Sequence, residues 1–240
     1  MSKYWNIPAY SQLSAEELRR KAEESTKKAS RKGRKMEPVI VEGRKIAQTW
    51  WGQAWCYNLE KYADYASRLG RGKNYVRSGA VIDLNITKGK ILARVQGRRK
   101  SPYKVEIHIS PLKEEACQNI MNACANQIEN LEALVSGDFP KELQSLFTGE
   151  HGLFPNPKEI SFNCSCPDWA IMCKHVAAVL YGVGTRLDEN PFLFFTLRGI
   201  DLTRFIDVTI GNKVEQMLSN ANEKSSRVID DISIYDLFGV

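Results

Sequence analysis

Three cysteines and one histidine lie within one stretch of twelve residues, and this cluster constrains the fold more than any other feature of the chain. The stretch contains Cys164, Cys166, Cys173 and His175, and the whole chain has only six cysteines and three histidines. Thiolate sulfur and imidazole nitrogen are preferred ligands of Zn²⁺, which four protein side chains bind tetrahedrally in closed structural sites. The spacing is C-x-C, then six residues, then C-x-H, so each half brings two donor atoms together. The sequence therefore predicts one structural zinc ion held by these four residues.

Buried free cysteines and a disulfide account less well for the cluster. Free cysteines are common in protein cores, but four ligand-type residues rarely lie this close together without a metal. A C-x-C pair has poor geometry for a disulfide, and the chain opens without a signal-peptide pattern. Apolar residues from Val176 onward indicate a helix, so Cys173 and His175 are expected at or just before its first turn. The partial positive charge of a helix N-terminus favours thiolate there.

The ligand spacing resembles that of the SWIM-type zinc finger, C-x-C-x(n)-C-x-H. The resemblance continues along CSCPDWAIMCKHVAAVLYGVGTRLDENPFLFFTLRGI and reaches upstream to TWWGQAWCYNLEKYADYASRLGRGKNYVRSGAV. Residues 36–215 are thus similar to bacterial SWIM zinc finger proteins that often occur alongside Swi/Snf-type helicases. The resemblance implies zinc binding and a role in DNA or protein interaction, with a helicase or a recombination protein as partner. It implies no catalytic activity.

Length and composition are those of an ordinary globular protein. The chain has 240 residues, 43% hydrophobic and 26% charged, so it can bury a substantial core in one large domain or two intimate ones. No apolar run approaches the roughly 18 to 20 residues that span a bilayer, which predicts a cytoplasmic protein with reduced cysteines and no membrane partner. We expect four segments: a basic arm at 1–35, an α+β domain at 36–150, the finger with its following helices at 151–218, and a linker with an acidic tail at 219–240.

The N-terminal segment is strongly basic. A helix is expected to begin after Ser14, because Ser14 and Glu17 form the sequence pattern of a capping box. Residues 19–35 have almost no apolar face, so we expect this segment to contribute little to the core and to be solvated or to bind an acidic partner. A flexible arm without a partner is equally consistent with this composition. The candidate nucleic-acid contacts of the segment are Arg31, Lys32, Arg34 and Lys35.

Residues 46–69 are predicted to form one helix rich in aromatic side chains. Four of its residues recur at three- and four-residue steps, which indicates a buried face. These residues are Trp51, Trp55, Leu59 and Tyr62. Trp50 lies off this face and is therefore the better candidate for an exposed role.

A glycine-rich loop is predicted over residues 68–77. Its basic residues can hold phosphates and its tyrosine can stack on a base, although an ordinary solvated loop has a similar composition. The candidate nucleic-acid contacts in this loop are Arg71, Lys73, Tyr75 and Arg77.

Alternating apolar residues predict a β-meander over residues 80–109, with Lys88-Gly89 as a tight hairpin turn. The connection at 96–103 adds three candidate nucleic-acid contacts: Arg98, Arg99 and Lys100. Helices are predicted at 112–135, 140–147, 176–187, 192–197 and 202–218, with a short strand at 159–162 that leads into the finger. The predicted fold class is α+β: an antiparallel β-meander packed with several helices, plus a small zinc-stabilised SWIM finger.

The end of the chain is acidic. A polar linker is expected at 219–226, and residues 228–238 combine aspartates with spaced hydrophobic residues. Such a segment either docks in the groove of a partner or packs on its own domain.

The predicted function is binding of nucleic acid, with DNA favoured and little sequence specificity, because nothing in the chain resembles a recognition helix. The cations named above, together with Lys174 between two zinc ligands, are expected to contact the phosphate backbone. The alternative is a protein-interaction adaptor with a purely structural zinc finger. No phosphate-binding loop, nucleophile elbow or His-Glu-x-x-His helix is present, so neither catalysis nor a small-molecule substrate is expected.

Overall fold

The computed structural model describes residues 13–127, 141–149 and 152–221. Within these residues, four antiparallel strands form one sheet in the order β1-β2-β3-β4. The strands are β1 (Val81–Thr87), β2 (Lys90–Val95), β3 (Tyr103–Ile109) and β4 (Ile160–Cys164). Lys88 and Gly89 connect β1 to β2, and Gly89 adopts a positive φ of 67°, as a two-residue hairpin turn requires. The predicted meander is confirmed, and β4 joins it along the edge formed by β3.

Helices make up most of the remaining described residues. They are α1 (Ala15–Ser30), α2 (Trp50–Asn58), α3 (Ala66–Arg77), α4 (Glu114–Gln127), α5 (Gln144–Thr148), α6 (Lys174–Glu189), α7 (Leu193–Leu197) and α8 (Leu202–Ala221). Single 3-10 turns follow α2 at Leu59–Tyr62 and precede α5 at Lys141–Leu143. The combination of sheet and helices confirms the α+β fold class. Among the described helices, none has the length and apolar character needed to cross a bilayer.

Helix α6 lies at the centre of the core. Twelve of its sixteen residues are buried, as expected for a helix that is enclosed on nearly all sides. The aromatic face of α2 packs against it: the indole N–H groups of Trp51 and Trp55 donate hydrogen bonds to the carbonyls of Leu187 and Leu180, at 3.0 and 2.8 Å. The predicted buried face is therefore confirmed. The N-terminus of α6 and the metal-ligand cluster beside it are therefore joined directly to the core of the protein.

The single helix predicted for residues 46–69 is wrong, because α2 ends at Asn58 and the chain is extended again at Ala63. Trp50 lies off the buried face, as predicted, but it is only partly exposed. Its ring is half-buried against Trp51 and Phe147, with ring centroids 5.6 and 5.2 Å away. Phe147 belongs to α5, which lies far along the chain, so the periodicity within α2 did not reveal this contact.

Residues 66–77 form helix α3 rather than the predicted glycine-rich loop. The glycine at position 72 is explained by a close approach between two helices. A Cβ atom at Gly72 would lie only 2.6 Å from the Cβ of Ala177 in α6, so glycine at this position allows α3 and α6 to come together. Glycine here marks a helix contact and not a turn, and α3 therefore presents its basic and tyrosine side chains from a rigid element.

Helix α1 packs on the body of the protein. The predicted capping box is present, because Ser14 and Glu17 exchange backbone-to-side-chain hydrogen bonds of 2.8 and 3.1 Å. The expectation that this helix stays out of the core is wrong, since Leu18 and Ala22 are only 2% and 4% exposed. Its polar side chains also take part, as Lys21 donates to the carbonyl of Arg98 at 2.9 Å. Two apolar residues one turn apart are enough to dock a helix whose remaining faces are charged.

Part of the predicted organisation lies outside the described residues. This applies to the acidic tail at 228–238 and to residues 128–135 of the long helix expected after β3. Helix α8 extends to Ala221, so the polar linker begins later than the predicted residue 219.

Candidate metal centre and adjoining groove

Two adjacent elements supply the four predicted ligands. Cys164 is the last residue of β4, and Cys166 follows it in the connecting loop. Cys173 is the N-cap of α6, where its sulfur accepts a hydrogen bond of 3.5 Å from the backbone N–H of Val176. His175 lies in the first turn of the same helix. The loop between β4 and α6 therefore closes around the cluster, as the spacing predicts.

The geometry of the cluster fits one zinc ion. All four ligand atoms lie within 4.8 Å of one another. The Nδ1 atom of His175 is 3.9 Å from both the Cys164 and the Cys173 sulfur. Tetrahedral coordination at zinc bond lengths places sulfur and nitrogen about 3.6 Å apart, and two sulfurs about 3.8 Å apart. A small contraction of the cluster would thus satisfy the ion, and four protein ligands would fill its coordination.

Burial prepares the histidine for this role. Desolvation lowers the pKa of His175, which favours the neutral imidazole that binds metals. The ring stacks on Tyr103 at a centroid distance of 4.2 Å and meets the ring of Tyr75 edge-on at 5.4 Å. Its Nε2 atom is buried and has no hydrogen-bond partner in the described part of the chain. These contacts fix the ring with Nδ1 directed at the sulfurs.

The three thiols are electrostatically linked. Hydrogen bonds with Cys164 and then Cys173 lower the pKa of the Cys166 thiol, whereas the hydrogen bond with Cys166 raises the pKa of Cys164. One sulfur is therefore stabilised as a thiolate by its neighbours. Binding of a metal displaces the protons that remain, because coordinating sulfur is deprotonated.

The loop between Cys166 and Cys173 is held from outside by two side chains. Arg68 of α3 forms an ion pair with Asp168: its Nη2 donates a hydrogen bond of 3.1 Å to Oδ1, and its Nε lies 3.1 Å from Oδ2. Asp64 accepts hydrogen bonds from the backbone N–H groups of Ile171 and Met172, at 2.9 and 3.3 Å. The loop is therefore fixed at both ends by the ligands and in the middle by α3 and the segment before it.

This fixed loop exposes two large apolar side chains. Trp169 is 79% exposed and Ile171 is 71% exposed, and the Trp169 ring contacts Tyr65 edge-on at 5.6 Å. Trp169 was not among the residues predicted to contact nucleic acid. A signal was available in the sequence: an aromatic residue in a six-residue span between two metal ligands has little freedom to reach a core.

A groove of about 1200 Å³ opens beside the metal centre. Helices α1 and α3, the connection between β2 and β3, and the finger form its walls. Six cationic side chains line it: Arg19, Arg71, Arg77, Arg98, Arg99 and Lys174. Three aromatic side chains line it as well: Tyr75, Tyr103 and Trp169. The acidic lining residues are Glu16 and Asp168.

The structure brings together half of the predicted nucleic-acid contacts. Those that line the groove are Arg71, Tyr75, Arg77, Arg98, Arg99 and Lys174. Lys73 faces elsewhere: it pairs with Glu60 at 3.1 Å and lies over the Tyr181 ring. Five more are exposed and lie outside the groove lining: Arg31, Lys32, Arg34, Lys35 and Lys100. Arg19 and Tyr103 line the groove but were absent from the predicted set, because only the docking of α1 and the stacking on His175 place them there.

Comparison with known proteins agrees with the metal centre. Residues 163–183 match the SWIM zinc finger family. The chain is 37% identical over 156 residues to the uncharacterized protein Rv2102 of Mycobacterium tuberculosis, and this alignment covers 64% of the chain and 56% of the relative. The chain thus matches a little over half the length of that relative. No solved structure matches the chain. The family match contains all four clustered ligands, and residues 163–183 of this chain are a SWIM zinc finger.

Proposed function

We propose that the protein binds nucleic acid in the groove beside the zinc finger, with DNA as the favoured nucleic acid and little sequence specificity. The observation that supports this proposal is the convergence of six cations from four separate parts of the chain. Arg19 comes from α1, two arginines come from α3, two from the β2–β3 connection, and Lys174 from the finger. Clustered cations displace condensed counterions from phosphates, which supplies most of non-specific nucleic-acid affinity.

The charge balance of the groove supports the same proposal. Its two acidic lining residues are outnumbered by its six cations. One of those acids, Asp168, is already paired with Arg68. Two cations also lie over aromatic rings, Arg99 over Tyr103 at 5.2 Å and Lys174 over Tyr75 at 5.9 Å. A cation held against a ring is positioned for phosphate and leaves the groove both positive and partly apolar.

We assign zinc a structural role in this binding surface. Four protein ligands leave no open coordination position for a substrate, which supports binding rather than catalysis. Lys174 lies between two ligands, and Tyr75 and Tyr103 contact the liganding His175. Zinc thereby fixes one wall of the groove. A helicase or a recombination protein is the partner that we propose to act on the same DNA.

A salt series tests the proposal. Fluorescence anisotropy of labelled DNA should show tight binding to the zinc-loaded protein, with log affinity falling linearly as log salt rises. The double variant Arg71→Gln/Arg99→Gln should bind more weakly, and its salt slope should be shallower by about 1.4 to 1.8 if both side chains contact phosphates.

The matched control is the double variant Lys45→Gln/Lys158→Gln, which removes the same charge at exposed positions outside the groove lining. Its affinity and slope should stay close to those of the unmodified chain. Equal losses in the two double variants would mean that net charge, and not the groove, governs binding.

A protein-interaction adaptor is a second candidate function, and helix α8 supports it. Ile210, Val214, Met217 and Leu218 recur at helical spacing and are 41% to 68% exposed. Such a stripe is typical of a surface that binds another protein. Binding of a protein partner through α8 should persist at high salt, whereas binding of DNA in the groove should not.

A further inference from the structure

We propose that the groove binds single-stranded DNA and that Trp169 stacks on one of its bases. This inference rests on the proposed function and names the form of nucleic acid and the residue that recognises it. Trp169 lines the same groove as the six cations, so a strand held by its phosphates passes the indole ring.

The position of Trp169 is prepared before any ligand binds. The ring is 79% exposed, yet its loop is tied down by the ligands Cys166 and Cys173, by the Arg68–Asp168 ion pair and by the Asp64 hydrogen bonds. Tyr65 braces the ring edge-on at 5.6 Å. A rigid, exposed aromatic side chain loses little conformational entropy on binding, which is the property of a stacking platform.

The chemistry of the groove favours a base over any purely apolar occupant of the indole. An exposed ring among cations suits a ligand that has both a flat apolar face and negative charge, and a nucleotide carries both. Bases of a duplex are already stacked on their neighbours, so they present only their edges. Bases of a single strand present their faces, and stacking on them tolerates any sequence. This agrees with the little sequence specificity proposed above.

The first test compares strands and a single substitution. The zinc-loaded protein should bind a mixed-sequence single strand of DNA at least tenfold more tightly than the duplex of the same sequence. Trp169→Ala should weaken binding of the single strand by about 5- to 150-fold, the range measured for loss of one stacked base. Trp169→Phe should retain part of the affinity. Tyr57→Ala is the matched control, because Tyr57 is 73% exposed on α2 and lies outside the groove lining, and this variant should bind normally.

A second test removes the base instead of the ring. The affinity of the unmodified protein for a strand with abasic sites should be as low as the affinity of Trp169→Ala for the intact strand. The affinity of Trp169→Ala for the abasic strand should be no lower than either of these. This thermodynamic cycle isolates the contact between ring and base. Independent losses from the two changes would overturn the stacking assignment. Since Trp169 is exposed, Trp169→Ala should keep its melting temperature and its zinc, which shows that the variant is folded.

The outcomes separate this inference from the proposed function. If no nucleic acid binds with a steep salt slope, the proposed function fails and the inference fails with it. If Arg71→Gln/Arg99→Gln loses affinity but Trp169→Ala does not, or if duplex binds as tightly as single strand, the proposed function stands and the inference is overturned. Tighter binding of an RNA strand of the same sequence would overturn the assignment to DNA.

Discussion

The same glycine-to-alanine substitution should change stability in opposite directions at two positions of α3. A Cβ at Gly72 would lie 2.6 Å from the Cβ of Ala177 and 3.0 Å from the backbone nitrogen of Ala178 in α6. A Cβ at Gly70 would meet no atom within 4 Å. Gly70→Ala is therefore a matched control for Gly72→Ala, because chemistry and helix are shared and only the contact differs.

The magnitudes follow from two opposing effects. Alanine is more favourable than glycine in a helix interior by about 1 kcal/mol, and at the exposed Gly70 this gain should appear in full. At Gly72 the new methyl group needs about 3.5 to 4.0 Å to its neighbours, so α3 and α6 must separate by about 1 Å. Overpacking of this kind costs about 1 to 3 kcal/mol. Both neighbours are backbone or Cβ atoms that cannot rotate away, so we expect the upper end of that range. The net change in the free energy of unfolding should be a loss of about 2 kcal/mol for Gly72→Ala.

Urea denaturation and thermal melting of the zinc-loaded proteins measure this difference. For a chain of this length, 1 kcal/mol shifts the melting temperature by about 2 to 4 °C. Gly72→Ala should therefore melt about 4 to 8 °C lower than the unmodified protein, and Gly70→Ala about 2 to 4 °C higher. Equal stabilisation by both substitutions would refute the reasoning, because it would mean that α3 does not touch α6 at Gly72.

The remaining predictions concern the metal centre and two core contacts. Cys173→Ser and His175→Ala should each lose stoichiometric zinc and melt at a lower temperature, since the binding energy of a structural zinc is folding energy; one retained zinc per chain, measured by mass spectrometry, would contradict the ligand set. Leu18→Ala should lower the free energy of unfolding by about 2 to 4 kcal/mol in urea denaturation, and an unchanged value would mean that α1 does not pack on the core. Arg198→Met should cost about 3 kcal/mol, because Arg198 is 1% exposed and pairs with Glu159 at 2.9 Å. Arg204→Met, at an exposed ion pair with Glu114, is its control and should cost less than about 1 kcal/mol.

Local patterns predicted the parts of the fold that depend on neighbours in sequence. The four ligands follow from their spacing, the Trp51–Trp55 face from helical periodicity, and the meander from near-alternation of apolar residues. The loop predicted over residues 68–77 was wrong partly because of Gly72. Glycine is a common turn residue, but Gly72 allows contact with a helix about a hundred residues away. The charged residues of the N-terminal segment predicted a solvated helix, and only the burial of Leu18 and Ala22 in the folded protein shows that α1 joins the core.

Local sequence patterns could not predict the groove, for a different reason. Arg19, Arg71, Arg99 and Lys174 belong to four elements, and no periodicity or spacing relates them. Their convergence depends on how α1 and α3 pack around the sheet and the finger. The sequence therefore identified candidate basic residues in each segment, but it did not show which of them share one surface. It also gave no reason to exclude Lys73 from the nucleic-acid contacts, although Lys73 pairs with Glu60.

Helix α6 gives the finger an unusual relation to the rest of the chain. The helix that carries Cys173 and His175 is also buried along most of its length by α2, α3 and the sheet. Residues 163–183, grafted into another protein, would expose those buried faces and would lose the support of Tyr75 and Tyr103. In this chain the structure of the finger therefore depends on the rest of the fold. Natural selection on the metal site and natural selection on the core act on the same helix, so substitutions around α6 should be inherited in compensating groups and not one at a time.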